Sequence, residues 1–256
     1  MAEMQGKVVV VTGASSGIGW ATSLKFASEG AIVVIAARNE AKLNELAAQI
    51  QSEGGQVTTC PTDLMNDSDI EALVQTTLDK HSKIDVLINA AGIIGSGTIE
   101  NTTREAWDDM MQLNTRAPFY LMQLAMPALI QAKGNVVNVS SVTGVRSFPG
   151  VLTYCVSKAA LDQLTRCAAL DVASKGVRVN AINPGVVVTN LHKQAGMDNE
   201  AYDKFLEHSK TTHPLGRVGT AEEAAELIYF LGSPRAGWIT GVTYELDGGR
   251  AQTCAR

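Results

Sequence analysis

Seven short apolar runs, separated by stretches of helical spacing, constrain this chain more than any other feature. They lie at 7–11, 31–36, 57–61, 84–89, 135–140, 177–183 and 242–245. Several are continuous Val/Ile/Leu with no polar alternation, the pattern of parallel strands covered on both faces. Between them, 18–28, 41–52, 69–80, 107–132, 154–174 and 221–231 read as helices. Gly30, Gly54-Gly55, Gly134 and Gly176 stand where those helices should be capped. The alternation predicts an α/β, single-domain Rossmann-type fold: a doubly wound parallel sheet of about seven strands flanked by helices, with right-handed crossovers.

The chain has 256 residues, 45% of them hydrophobic, and no Pro/Ser-rich linker, so residues 1–256 read as one domain with one core. The segment at about 186–219 breaks the rhythm and is expected to be a substrate loop. A net charge of -5 argues against a nucleic-acid partner. No apolar run approaches the roughly 20 residues that span a bilayer. Residues 1–7 lack the apolar stretch of a signal peptide, and Cys254, third from the end, does not fit a prenylation box. Cys60, Cys155, Cys167 and Cys254 form no C-x-x-C pair, as expected of reduced thiols in a cytoplasmic protein. The histidines, His81, His192, His208 and His213, have no metal-ligand spacing, so no metal is expected. His192 is a candidate substrate contact.

Three local patterns carry chemistry. Gly13, Gly17 and Gly19 follow the first strand and open a helix, where small residues and free N–H groups suit a pyrophosphate. An ordinary tight turn is the alternative reading of these glycines. Tyr154 and Lys158 are four residues apart on a helical pattern and should share one face, with Ser141 upstream at the end of an apolar run. An ammonium beside a phenol should lower the phenol's pKa from about 10 toward working pH. Asp63-Leu64 and Asn89-Ala90-Ala91-Gly92 fall at carboxyl ends of strands, the rim where open α/β sheets bind ligands. Together these describe a site that moves a proton to or from an alcohol oxygen beside a nucleotide.

With Asn114, Pro184-Gly185-x-x-x-Thr189 and a closing Asp247-Gly248-Gly249, these motifs resemble the short-chain dehydrogenase/reductase family over essentially the whole chain. The resemblance implies a catalytic set of Asn114, Ser141, Tyr154 and Lys158. In it Tyr154 is general acid/base, Ser141 holds the substrate oxygen, and Lys158 also holds the nicotinamide ribose. Asn114 is implied to kink its helix and anchor a proton-relay water. The implied cofactor contacts are Gly13, Ser15, Ser16, Gly17, Ile18 and Gly19 at the pyrophosphate and ribose. Asp63 and Leu64 follow at the adenine, and Asn89, Ala90 and Gly92 beside the adenosine. Pro184, Gly185, Val187 and Thr189 belong to the nicotinamide end.

Where an NAD enzyme of the family usually has an acid, this chain has Ala37, followed by Arg38 and Asn39. Arg38 can bind a 2′-phosphate that a carboxylate would repel, so NADP(H) is the expected cofactor. The expected activity is reduction of a ketone or aldehyde, or the reverse, on a small-molecule substrate. The apolar character of Val145, Phe148, Val151 and Ile94, with few fixed charges nearby, predicts a hydrophobic one. A 3-oxoacyl-thioester reductase is the alternative within enzymes, and a non-catalytic dinucleotide-binding sensor or scaffold is the alternative outside them. The family also implies a homotetramer packed through the 107–132 and 154–174 helices and the last strand.

Overall fold

The computed structural model describes residues 3–253; Cys254 lies outside them. Strand β1 (Val8–Thr12) runs into helix α1 (Gly17–Ser28), followed by β2 (Ile32–Ala37), α2 (Glu40–Ser52), β3 (Gln56–Pro61), α3 (Asp67–His81) and β4 (Val86–Asn89). The second half carries α4 (Arg104–Met111), α5 (Ala117–Ala132), β5 (Asn135–Val139), α6 (Leu152–Ala173) and β6 (Arg178–Pro184). Then come α7 (Leu191–Gln194), α8 (Asn199–Thr212), α9 (Ala221–Gly232) and β7 (Thr243–Leu246). All seven strands pair parallel in the order β3-β2-β1-β4-β5-β6-β7, the doubly wound sheet that the alternation predicts. The order turns back between β1 and β4, which opens a crevice at their carboxyl ends.

Period-two alternation along each strand divides the core into two layers. Val9, Val11, Val33 and Ile35 pack with Phe26 of α1, Leu43 and Leu46 of α2, and Ile228 of α9. Val8, Val10, Val34 and Leu87 pack on the other face with Ile70 and Leu73 of α3, Leu121 of α5 and Val172 of α6. Burial of each such side chain is worth about 1.5–3 kcal/mol, and β1 and β2 are accordingly apolar at nearly every position. At the opposite, amino-terminal edge, Asp85 accepts from Lys7 Nζ at 2.8 Å and from Val8 N at 2.9 Å, with Lys83 Nζ at 3.2 Å. Burial pushes this carboxyl up, but the lysines and the Val8 N–H together hold it below its ordinary value.

Two local features depart from expectation, and a third agrees with one. The helix expected over 107–132 is α4 and α5 joined by a π turn, Gln112–Arg116, an interruption at Asn114, where the family resemblance implies a kink. The extra residue of that turn accompanies the burial of Asn114, whose side chain bonds the backbone of Ile93 instead of facing solvent. The segment at 186–219 is largely helical: Asp198 caps α8 by accepting from Ala201 N at 2.8 Å. Its apolar stripe is narrow, with Tyr202 and Ser209 its buried residues, so hydrophobic periodicity gave little sign of it. The base of this excursion is pinned by an isolated bridge between Val187 and Gly219.

Gly134 is not a left-handed cap. Lys133 takes that conformation (φ 49), and a Cβ on Gly134 would collide with the carbonyl oxygen of Asp85. Because backbone cannot swing aside as a side chain can, Gly134→Ala should destabilise the fold by about 1–3 kcal/mol. Urea unfolding at equilibrium checks this. A midpoint matching the parent's would show that β4 and β5 can separate there at no cost.

Candidate active site

A cleft of about 1250 Å³ runs along the carboxyl edge of the sheet, from the turn after β1 to the start of α6. At one end, the β1–α1 turn is closed by Thr12, whose hydroxyl accepts from Ala90 N at 3.1 Å and donates to Ile88 O at 3.3 Å. This ties the turn to the strand across the crevice. The glycines here have a packing role of their own. Gly13 has φ +66, and a Cβ on it would come within 2.7 Å of the Ala91 backbone; one on Gly19 would strike the carbonyl of Gly13.

The first turn of α1 fits an anionic ligand. Its N-cap, Ser16, makes no side-chain cap bond, and no acidic residue lies in the turn. The N–H groups of Gly17, Ile18 and Gly19 therefore have no intrahelical acceptor, and all three residues line the cleft. Ser15 lines it beside them. Farther along, Ala37, Arg38, Asn39 and Lys42 form the rim after β2. Lys42 is paired with Glu45 at 2.6 Å, whereas Arg38 is exposed and has no ion pair or side-chain hydrogen bond among the described residues. Asp63, Leu64, Ala90 and Gly92 complete this half.

At the other end, Ser141 follows β5, and Tyr154 and Lys158 rise from the first turns of α6; all three are buried and line the cleft. Lys158 Nζ donates to Val139 O at 2.8 Å and lies 5.7 Å from the centroid of the Tyr154 ring. Pro184, Gly185, Val187 and Thr189 close the cleft opposite. Tyr202 of α8 fixes Thr189, accepting from its N–H at 3.2 Å and donating to its carbonyl at 2.8 Å.

The electrostatics overturn one expectation. Burial pushes the Tyr154 phenol up, to about 12, against the opposing effect of Ser141. The expected lowering by Lys158 is absent. Its ammonium is tied to a strand carbonyl, and the cost of placing a phenolate in a poorly solvated site outweighs it. Burial also brings Lys158 down, to about 8, with Asp162 opposing. Asp162 is itself pushed up by burial, against hydrogen bonds from Ser140 and Asn183, the latter at 2.7 Å.

Two expected site residues do not line the cleft. Asn89 is buried within the sheet, where its Nδ2 donates to Asn138 Oδ1 at 2.8 Å. Asn114 is also fully buried: its Oδ1 accepts from Ile93 N at 2.9 Å, and its Nδ2 donates to Ile93 O at 2.9 Å and Ser157 Oγ at 3.1 Å. It therefore supports the backbone next to Gly92 and the helix carrying Tyr154. Of the expected substrate determinants, Ile94, Phe148 and Val151 line the cleft, as do His192 and Phe205 from the 186–219 segment; Val145 does not. Arg250 lines it too, beyond what the sequence reading identified. Its signal was the preceding Gly248-Gly249 pair, both with positive φ, which turns the chain back toward the sheet edge.

Among the described residues no cluster of three or more His, Cys, Asp or Glu could hold a metal ion, and no helix is long and apolar enough to cross a membrane. His213 is occupied structurally, its Nε2 accepting from Val186 N at 3.1 Å.

Residues 13–251 match the family model described as "Enoyl-(Acyl carrier protein) reductase". The chain is 35% identical to a 3-oxoacyl-[acyl-carrier-protein] reductase of Thermotoga maritima, over 96% of this chain and 98% of that one. A short-chain dehydrogenase/reductase of unknown function from Caenorhabditis elegans, solved with cofactor, superposes with a TM-score of 0.94 at 34% identity, covering 99% of this chain and 98% of that one. The L-sorbose reductase of Gluconobacter frateurii, complexed with NADPH and L-sorbose, superposes with a TM-score of 0.92 at 31% identity over 99% and 100% of the two chains. On this sequence, this sheet and this cleft, the chain belongs to the short-chain dehydrogenase/reductase family and is an oxidoreductase acting on CH–OH groups.

Proposed function

We propose that this oxidoreductase is an NADP(H)-dependent carbonyl reductase, or the reverse alcohol dehydrogenase, with Tyr154 as general acid/base. The observation that carries the reading is one cleft joining an uncapped helix N-terminus at one end to a buried Ser141, Tyr154 and Lys158 at the other. The Gly13–Gly19 turn would hold the pyrophosphate, Asp63 and Leu64 the adenine, and Pro184, Gly185, Val187 and Thr189 the nicotinamide end. A bound nicotinamide dinucleotide supplies the hydride that adds to the substrate carbon. This chain's side chains handle the oxygen. Ser141 donates a hydrogen bond to it, Tyr154 delivers the proton from its hydroxyl, and Lys158 adds positive charge nearby. Leu113, Phe148, Val151 and Phe205 give the walls an apolar character suited to a hydrophobic carbonyl compound. A 3-oxoacyl thioester is the second reading, favoured by the similarity to the Thermotoga reductase. Including a thioester in a carbonyl panel separates the two.

Tyr154→Phe keeps the ring and removes the hydroxyl, so it should retain the fold and NADPH binding while kcat drops by about 10²–10⁴-fold. Ser141→Ala should lower kcat with a smaller effect on NADPH affinity. Alcohol oxidation needs a deprotonated acceptor and should speed up as pH rises. In the cofactor-free protein, the ultraviolet difference titration between parent and Tyr154→Phe should place this phenol near 12. A Tyr154 phenolate already formed below pH 10 would show that Lys158 outweighs burial after all.

Arg38 and Ala37 support the preference for NADP(H). Losing a charge-assisted contact to the 2′-phosphate costs roughly tenfold to a hundredfold in affinity. Arg38→Ala should weaken NADPH by that factor with little effect on NADH, and Ala37→Asp should invert the preference. Fluorescence titration with both nucleotides decides it; equal affinity in the parent would remove the basis for NADP(H).

A cytoplasmic homotetramer completes the proposal. Cys60, Cys155 and Cys167 are unpaired thiols, the state a reducing compartment maintains. Phe119 on α5, Val156 and Leu170 on α6 and Tyr244 on β7 are exposed, Leu170 at 81%, on the elements expected to meet a second copy. Sedimentation equilibrium should give about four times the 27.1 kDa chain mass, and a tagged chain should fractionate with cytoplasmic markers. A 27.1 kDa species at micromolar concentration would count against the assembly.

A further inference from the structure

Among the described residues lining the substrate end of the cleft, Arg250 carries a charge that the proposed chemistry does not use. It stands in the short 3-10 turn Arg250–Gln252, after the reversal at Gly248-Gly249. That turn is held rigidly. Asp247 accepts from Gly249 N at 2.9 Å and from Ala251 N at 2.5 Å, and Arg146 donates to the carbonyls of Ala251 and Thr253. The Arg250 guanidinium lies over the Phe148 ring, 4.7 Å from its centroid, and both residues line the cleft.

Among the described residues Arg250 has no ion pair and no side-chain hydrogen bond; Asp247, the carboxylate whose charge it feels, has both oxygens engaged by backbone N–H groups. A guanidinium offers five donors in a planar fork that matches a carboxylate. Withdrawing it partly from water without a direct ion pair is unfavourable, and burial lowers its proton affinity against the opposing effect of the Asp247 charge. Contact with the Phe148 ring restrains the guanidinium, so less side-chain entropy remains to be lost on binding.

His192, on the opposite arm, narrows the ligand further. Its ring packs on Phe205 at 4.5 Å between centroids, and its Nδ1 is buried with no partner. A bare lone pair there costs less than a buried N–H without an acceptor, which favours the tautomer with hydrogen on Nε2. Burial also lowers its proton affinity, so it is neutral at working pH. It adds a hydrogen-bond donor but no second charge.

We propose that Arg250 is the specificity-determining anchor for a substrate carboxylate, so that the carbonyl compound reduced here is an oxo acid with an apolar body, or in reverse the hydroxy acid. The carboxylate would sit in the Arg250 fork and the body against Phe148, Val151 and Phe205. The reacting oxygen would lie at Ser141 and Tyr154. The assignment rests on the oxidoreductase reading above and refines it, replacing the expectation of a cleft with few fixed charges.

The test uses holoenzyme with NADPH and apolar 2-oxo, 3-oxo and 4-oxo acids, each paired with its methyl ester, on the parent, Arg250→Lys and Arg250→Met. For at least one spacing the parent should favour the acid in kcat/KM. In Arg250→Met the acid-to-ester ratio should fall by about tenfold to a hundredfold, mainly through KM, and Arg250→Lys should recover part of it. Separately, benzoate should quench the fluorescence of bound NADPH in the parent, with a Kd that weakens by a similar factor in Arg250→Met. Esters reduced as well as acids at every spacing, or a ratio that Arg250→Met leaves unmoved, would overturn the proposal, as would benzoate binding indifferent to Arg250. Arg250-dependent benzoate binding with no reduction of any carbonyl would uphold the anchor and count against the reductase reading instead.

Discussion

A parallel sheet sealed on both faces leaves a chain few places to put polar chemistry. Here the central strands are apolar on both sides, covered by α1, α2 and α9 on one face and α3, α5 and α6 on the other. In β1, β2 and β4 only the strand ends approach water. At the amino edge the available polarity is spent on anchoring, with Asp85 gathering Lys7, Lys83 and the start of β1. At the carboxyl edge, the reversal between β1 and β4 spreads the connections apart and leaves a crevice. Every group assigned a chemical task lies on that edge or one helical turn beyond it.

The interior of the site is a set of polar groups held largely by one another. Lys158 is bonded to the last residue of β5, Asp162 to Asn183 of β6, and Asn114 to the segment after β4 and to Ser157 of α6. These bonds join three strand ends to the helix that carries Tyr154, so the phenol's position is fixed from several directions. The cost is an environment that disfavours charge on either member of the pair, moving tyrosine and lysine toward their neutral forms. Such a site is tuned by what enters it, because any charge brought alongside is poorly screened.

The sheet was legible because burial on both faces gives β1 and β2 uninterrupted apolar runs, and the remaining runs recur between helical stretches at the spacing of a doubly wound fold. Tyr154, Lys158 and Ser141 were legible because their spacing and order are specific. Other features depend on contacts between distant segments. The π turn at Asn114 follows from its bonds to Ile93 and Ser157, and α8 buries too narrow a stripe to announce itself. Gly134 matters because of the Asp85 carbonyl, not because of its own backbone angle. Arg250 reaches the cleft only because the chain reverses after β7 and Arg146 holds it there. The direction of the Tyr154 shift is hidden from the sequence for a similar reason. Spacing places the ammonium near the phenol, but only the fold shows that Val139 claims it and that solvent is excluded.

The bridge between Val187 and Gly219 gives the cleft a property of another kind. Val188 N donates to Gly219 O at 3.1 Å, and Gly219 N to Val186 O at 2.9 Å, so the arm bearing α7 and α8 leaves and rejoins the sheet edge at one clamped root. Closing the ends of an arm costs entropy that grows only slowly with its length, and here closure is secured before the arm begins. Its length and sequence can drift without disturbing strand pairing, and with them His192 and Phe205. The fold thereby separates what must be inherited intact from what is free to diverge: an evolving lineage can exchange the arm and acquire a new substrate while the proton-handling edge is left alone.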